Sequence, residues 1–435
     1  MPLSRRRFLE VSAASAALPQ GRASANSRVR FACIGCGARA HELMAALLVH
    51  PDAEITGLCD AYRGRVERAQ ERVGGRAKVL GDYREALSDS SVDALIIATP
   101  DHWHKQMVVD ALRAGKDVYC EKPLTYRSSE GLEILAATRE TQRIVQVGSQ
   151  GMSSATQQRA RDLIRQGRLG KVTMIRAAYN RNTASGAWIY PIPPDASPST
   201  VNWDMFLGPA PKRPFDLARF FRWRCYKDYS GGIATDLFVH LCTTIHYLMG
   251  AKMPSRVVAM GNLYRWKESR DVPDTLNAIL EYPEGFTVNL SSTFNNQSAA
   301  EQSFQFLGTE GTISIGWNGF SFRPENARED NRWIVESWPS RLEKQYWQDA
   351  KVRETELVAT RKPSVLTVGE EYQEEGLEAT VMHFRHFLDS VRTRQAYWQD
   401  AAAGHHAAAC AHMVNRAVET GRSVIWDFSR NDMQA

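Results

Sequence analysis

Three short segments hold side chains whose types and spacing suit the handling of a proton. Glu121-Lys122-Pro123 follows a strand-like run, Val118 to Cys120. Pro123 fixes its own φ and biases Lys122 toward an extended conformation, which aims the ammonium in one direction. Asp236 and His240 stand four apart in a segment of helical pattern, so both belong to one face. A carboxylate beside an imidazole is a unit that can take a proton from a hydroxyl group; a surface pair or a buried structural histidine has the same spacing. His246 lies near, but no further acid or cysteine stands at ligand spacing, so no metal is expected. Thr99-Pro100-Asp101-His102-Trp103-His104 is the third segment, and it interrupts a buried apolar run. His405-His406, in an alanine-rich helix, reads as surface or interface.

These residues need strands to position them, and the stretch Val29 to Asp60 shows the kind of sheet involved. A β-branched and aromatic run (Val29, Phe31, Ile34) stops at Gly35-Cys36-Gly37-Ala38-Arg39-Ala40; a helix follows, then a second apolar run, Ile55 to Cys59, ending on Asp60. Strand, glycine turn, helix, strand and acid form a dinucleotide-binding fingerprint with Ala in the third glycine position. Gly35 permits the tight turn, and Gly37 permits close approach of a pyrophosphate that the helix N-terminus attracts. Asp60 is placed to bond a ribose 2′-hydroxyl and to repel a 2′-phosphate, which selects NAD. In open α/β sheets ligands collect at the carboxyl ends of strands, so the 99–104 loop and Glu121-Lys122 should face the cofactor. The cofactor set read this way is Gly35, Gly37, Ala38, Arg39, Asp60, Thr99, Pro100, His102, His104, Glu121 and Lys122. Beside a positively charged nicotinamide, Lys122 would serve as general base or orienting donor.

Further along, Arg63 to Arg72 reads as an exposed helix and Tyr83 to Leu87 as a turn. Val92 to Ala98 is a continuous apolar run, as expected of a strand buried on both faces. Helical patterns at about 102–114 and 128–142 alternate with strands at 118–120 and 144–147. This β-α alternation predicts a doubly wound, parallel Rossmann sheet over residues 26–150. From residue 151 to 435 the pattern changes: after a helix at 156–166, strand-like segments at 172–179, 256–264, 275–282, 286–293, 303–307 and 312–317 predict an α+β domain with a large, mostly antiparallel open sheet. Ser185 to Thr200 reads as a loop and Pro324 to Pro363 as irregular, with helices again at 375–392 and 401–419.

The 435 residues, 43% hydrophobic and 24% charged, have the composition of a soluble multidomain protein, and no apolar stretch is long enough to span a membrane. Residues 1–25 read as a separate export signal: Ser4-Arg5-Arg6-Arg7-Phe8-Leu9-Glu10 has the twin-arginine form, followed by an apolar run and Ala23-Ser24-Ala25. The twin-arginine machinery carries folded proteins, so a cofactor could be loaded before export to the periplasm. Without those four arginines and one glutamate the formal charge of +5 becomes +2, which gives no case for a nucleic-acid partner. Seven cysteines without repeated spacing do not form a disulfide framework.

From Val29 to about Ser423 the chain resembles the Gfo/Idh/MocA family, the glucose–fructose oxidoreductase and inositol dehydrogenase group. The resemblance is carried by the glycine turn, Asp60, Ala98-Thr99-Pro100-Asp101, Ala114-Gly115-Lys116, Glu121-Lys122-Pro123, Gly148-Ser149-Gln150, and Asp236 with His240. It implies that Lys122, Asp236 and His240 meet beside the nicotinamide and move the proton while hydride passes between a sugar-like carbinol carbon and NAD. It also implies homo-oligomers formed through the C-terminal sheet. Trp203-Asp204, Gly208-Pro209-Ala210-Pro211 and Arg222-Trp223-Arg224-Cys225-Tyr226 resemble an exported branch, where Arg224 and Tyr226 are expected to bind the carbohydrate. The expected activity is NAD-dependent oxidoreduction of a sugar, glycoside or cyclitol. The alternative is an NAD-dependent glycoside hydrolase that recycles its cofactor through a transient keto sugar.

Overall fold

Six short apolar strands form the first layer of the computed structural model, which describes residues 28–434 apart from 269, 298–301, 317, 326–328, 357–368 and 377. The export-signal reading of residues 1–25 lies outside the described residues. β1 (Val29–Ile34), β2 (Ala53–Cys59), β3 (Lys78–Val79), β4 (Ala94–Ile97), β5 (Asp117–Glu121) and β6 (Val145–Gly148) are all parallel, in the order β3-β2-β1-β4-β5-β6. Every residue of β4 and β5 is buried, as strands covered on both faces require. The order reverses between β1 and β4, where a crevice opens at the carboxyl ends.

Three local readings change, one of them at His405, expected at a surface or interface but fully buried. Tyr83–Ser88 is a short helix rather than a turn: Asp82 caps it and Glu85 returns a bond to the Asp82 N–H, a capping box. Within the segment expected to be irregular, Arg332–Val335, Ser340–Gln348 and Ala350–Thr355 are helical, the last capped by Asp349.

The second layer is a ten-stranded sheet built from β7 (Val172–Tyr179), β8 (Arg256–Asn262), β9 (Thr275–Tyr282), β10 (Phe286–Thr293), β11 (Gln302–Gly308), β12 (Gly311–Ile315), β13 (Gly319–Pro324), β14 (Glu370–Gln373), β15 (Val424–Asp427) and β16 (Asp432–Met433). All its pairings are antiparallel except β7 with β10. One face packs against the helices Ala155–Arg165, Val239–Met249 and Ala401–Thr420. The other is open: outward residues of β8 and β9 leave Val258, Met260 and Ile279 at the surface.

The helix Ala379–Thr393 follows β14 in sequence but packs into the first core. Phe384 stacks on Tyr119 at 4.5 Å, Phe387 meets Phe31, and Val381 and Leu388 complete the contact. Arg394 clamps Asp117 with two 2.8 Å bonds just beyond it. The chain thus returns to the N-terminal layer before adding β15 and β16 to the second sheet.

Candidate active site

The crevice starts at the glycine turn. Gly35 has φ +84°, and a Cβ there would stand 2.6 Å from the Ala98 carbonyl oxygen, so only glycine lets β1 and β4 end this close together. Gly37 begins the helix Ala38–Leu47 with no side-chain cap and no acid in the first turn, which leaves the terminal N–H groups open to an anion. Asp60, at the end of β2, accepts from the Cys36 N–H at 2.7 Å and the Tyr62 N–H at 2.8 Å. The acid therefore faces the turn, and spare lone pairs on its two oxygens suit a ribose diol. An uncapped helix start, a glycine floor and a neighbouring carboxylate together fit NAD at this site.

Beneath the crevice, Arg39 does not reach outward. Its Nε donates to Glu121 at 3.0 Å and its terminal nitrogen to Glu42 at 2.5 Å, while Gln150 donates to Glu121 at 2.8 Å. Burial favours the neutral guanidine, but the Glu121 and Glu42 charges outweigh it and keep Arg39 charged. The histidines of the 99–104 segment also turn away from the crevice. Thr99 and Pro100 lead into the helix Asp101–Arg113. In its first turn, His104 places Nδ1 2.6 Å from the Pro123 carbonyl and Nε2 3.0 Å from the Thr99 carbonyl. His102 donates from Nε2 to the Phe206 carbonyl at 3.0 Å, as does Trp103 from its indole nitrogen. Burial lowers both histidine pKa values, His102 to about 4, and both rings brace main-chain carbonyls of the neighbouring loops.

The two layers meet at Lys122. Its ammonium donates to Asp236 Oδ1 at 2.9 Å and to the Asp236 main-chain carbonyl at 2.7 Å, across a cis Lys122–Pro123 loop. The same Oδ1 accepts from Arg224 Nε at 3.0 Å. Asp236 sits in one π-helical turn, Ala234–Phe238, ahead of the helix Val239–Met249, a departure from regular helix common at functional sites. Sequence spacing paired Asp236 with His240; the carboxylate instead lies between Lys122 and Arg224, two cations whose attraction exceeds that of an imidazole. Burial pushes the Asp236 pKa up, but Lys122, Arg224 and Arg181 overcome it and hold the group ionised far below the usual carboxylate range. His240, half-buried beside Tyr179 with ring centroids 6.2 Å apart, has its pKa driven well down, first by burial and then by the Lys122 charge. It is therefore a neutral imidazole with a lone pair to offer.

Arg224, expected to bind the carbohydrate, joins this cluster through its bond to Asp236, whereas Tyr226 lies in the neighbouring aromatic layer beneath Arg219, 4.3 Å from its ring. Other residues stand closer to the chemistry. Tyr190 feels the charges of Arg224, Asp236 and Arg181. Arg181, Arg222 and Arg270 donate to the carbonyls of Gly186, Tyr190 and Ala187, which pins the 186–190 wall. Asp101, buried behind Thr235, is pushed up to about 7 by burial and the Asp236 charge. Only the Tyr190 and Arg181 side-chain types hinted at such roles; their placement depends on folding across the two layers.

A strap closes the ribose end of the crevice. Tyr62 bridges to Val201, Arg63 N–H donates to Thr200 at 3.0 Å, and Asn202 N–H donates to Ala61 at 2.7 Å. The Tyr62 hydroxyl bonds Asp195 at 2.5 Å. From the same segment Phe220 and Phe221 carry the Arg65 guanidinium, 5.2 Å from each ring, beside Gly37 and Asp60.

Known proteins share this fold. Residues 29–149 match the oxidoreductase family model with an NAD-binding Rossmann fold, and residues 200–314 match the GFO/IDH/MocA C-terminal domain, together more than half of the chain. The 1,5-anhydro-D-fructose reductase of Ensifer adhaerens is 24% identical over 68% of this chain and 78% of its own. The NAD(+)-dependent scyllo-inositol 2-dehydrogenase of Bacillus subtilis is 26% identical over 66% and 74%. A levoglucosan dehydrogenase solved with NADH and levoglucosan superposes with a TM-score of 0.66 at 18% identity, covering 92% of this chain and 99% of that one. The chain belongs to the Gfo/Idh/MocA family of NAD-dependent oxidoreductases.

Proposed function

We propose that this enzyme transfers hydride between NAD and a hydroxyl-bearing carbon of a sugar, glycoside or cyclitol. The observation that carries this reading is the meeting of Lys122, Asp236 and a neutral His240 where the β5 loop joins the second layer. NAD, when bound, supplies the hydride acceptor or donor. His240 takes the hydroxyl proton on a ring nitrogen as the C–H bond is lost. Lys122, fixed by both oxygens it meets on Asp236, donates to the same substrate oxygen and sets its position. Asp236 is a positioning residue: it holds the ammonium in place and stays ionised because Lys122 and Arg224 share its charge. The named relatives are reductases and dehydrogenases, which favours net oxidoreduction over glycoside hydrolysis. Turnover of a panel of sugars and cyclitols with NAD tests the reading; a free aglycone with no keto product would overturn it.

Two further proposals rest on separate features. The exposed Val258, Met260 and Ile279 on the open sheet support a homo-oligomer through that face, to be checked by light scattering of a Met260→Lys variant. The twin-arginine motif at Ser4–Glu10 supports export of the folded, NAD-loaded protein to the periplasm, to be checked by cell fractionation with and without Arg5 and Arg6.

A further inference from the structure

The charges around the reactive centre do not balance. Lys122 and Arg224 both bond Oδ1 of a single carboxylate, at 2.9 and 3.0 Å, and Arg181 adds a third positive charge within electrostatic reach. Asp101, the other acid close by, is pushed up to about 7 by burial and the Asp236 charge, which weakens its counter-charge. Among the described residues Arg224 spends Nε on Asp236, and its two terminal nitrogens bond no protein group. Its side chain lies over Trp223 and keeps 24% of its surface open, against 11% for Lys122 and Asp236. A guanidinium held at one nitrogen and free at two presents a fork matched to a planar carboxylate.

We propose that the sugar taken by this site is a sugar acid, with its carboxylate seated on the terminal nitrogens of Arg224 beside Lys122. This rests on the oxidoreductase reading above and narrows its substrate class. A neutral sugar would leave that excess positive charge uncompensated in a partly desolvated pocket. A carboxylate neutralises it and fixes which end of the sugar faces the nicotinamide.

Matched pairs test the inference on the NAD-loaded full chain: glucuronate with glucose, galacturonate with galactose, gluconate with glucitol. The acid of a turned-over pair should exceed its neutral partner in kcat/KM by about 100-fold or more, since a site built to bond a polar group discriminates strongly against its absence. Titration calorimetry on the NADH-bound protein should show the same preference as affinity, and added salt should weaken only the acid. Arg224→Gln should raise KM for the acid and reduce the ratio to about tenfold or less. A purely structural arginine would lower both members of a pair alike and keep the ratio, which would overturn the assignment. Should Arg224→Gln fail to fold, the wild-type ratio and its salt dependence decide. Neutral sugars turned over as well as their acids would overturn the inference and leave the oxidoreductase reading intact; no turnover or binding of either set would overturn both.

Discussion

Lys122 and Asp236, 114 residues apart in the chain, are joined by a 2.9 Å ion pair that spans the two layers of the molecule. One end is fixed by a strand of the first sheet and the other by a π-helical turn packed on the second. The pair closes the interface and fixes the direction of the ammonium that the proposed mechanism assigns to a carbinol oxygen.

Removing the ammonium should separate binding from chemistry. Lys122→Ala keeps the glycine turn, Asp60 and the strap intact, so NAD affinity should hold while kcat falls by about 10²–10⁴, the usual worth of a positioned acid–base group. Fluorescence titration with NADH and steady-state kinetics check both halves. Loss of binding together with turnover would place Lys122 in the cofactor cradle instead.

Removing the carboxylate should be worse for stability. Asp236→Asn leaves Lys122 and Arg224 close together without a counter-charge, and breaking a largely buried pair in this way costs about 3–5 kcal/mol. Thermal unfolding should register a clear fall in Tm relative to Lys122→Ala, which removes a charge rather than stranding two.

Acid should destabilise the fold well before carboxylates titrate. His102, His405 and His412 are lowered from 6.5 to about 4, and His246 and His383 to about 3, each mainly by burial. Below pH 6.5 the unfolded chain binds these protons and the folded chain does not, so stability is full above that pH and is lost as pH falls toward 4. Each histidine contributes a slope of up to roughly 1.4 kcal/mol per pH unit over that window. Asp101, raised to about 7, and Glu130, raised by burial, work in the opposite direction, but the lowered histidines outnumber them. Denaturant midpoints between pH 8 and 4, at about unit steps, should fall continuously below 6.5; a flat profile would mean that these rings are hydrated.

The layers themselves were legible in the sequence because buried parallel strands are continuous apolar runs and the open sheet alternates. Residues 94–97 and 275–282 show the two patterns in pure form. The helix Tyr83–Ser88 was missed although Asp82 and Glu85 have capping-box spacing; its brevity hid the period. Partners were harder. A four-residue spacing joins Asp236 to His240 on paper, but Coulomb attraction joins it to Lys122 and Arg224, which only the docking of two layers brings near. The same holds for His102 and His104, which lie in the first turn of the helix after β4 with ring nitrogens against main-chain carbonyls. The helix Ala379–Thr393 announces an apolar face, and nothing in its period says which core receives it.

The strap should govern how long the cofactor stays. Tyr62→Phe removes the bond to Asp195 without altering the ring that packs on Phe221. Loss of a hydrogen bond to a charged group, about 1.5–3 kcal/mol, should speed NADH release by roughly tenfold or more if the strap must lift first. Stopped-flow release into excess NAD measures it; an unchanged rate would show that the crevice empties without moving residues 195–202.

The central claim, hydride transfer from a sugar carbon at the Lys122–Asp236–His240 site, is tested most directly by isotope transfer. The protein is incubated with NAD and the carbon-deuterated sugars and sugar acids, and the nucleotide is examined by mass spectrometry. The account predicts one deuterium on the nicotinamide together with a keto product, both formed about 10²–10⁴-fold more slowly with Lys122→Ala. A substrate consumed with no deuterium on the nucleotide and no keto product would contradict it.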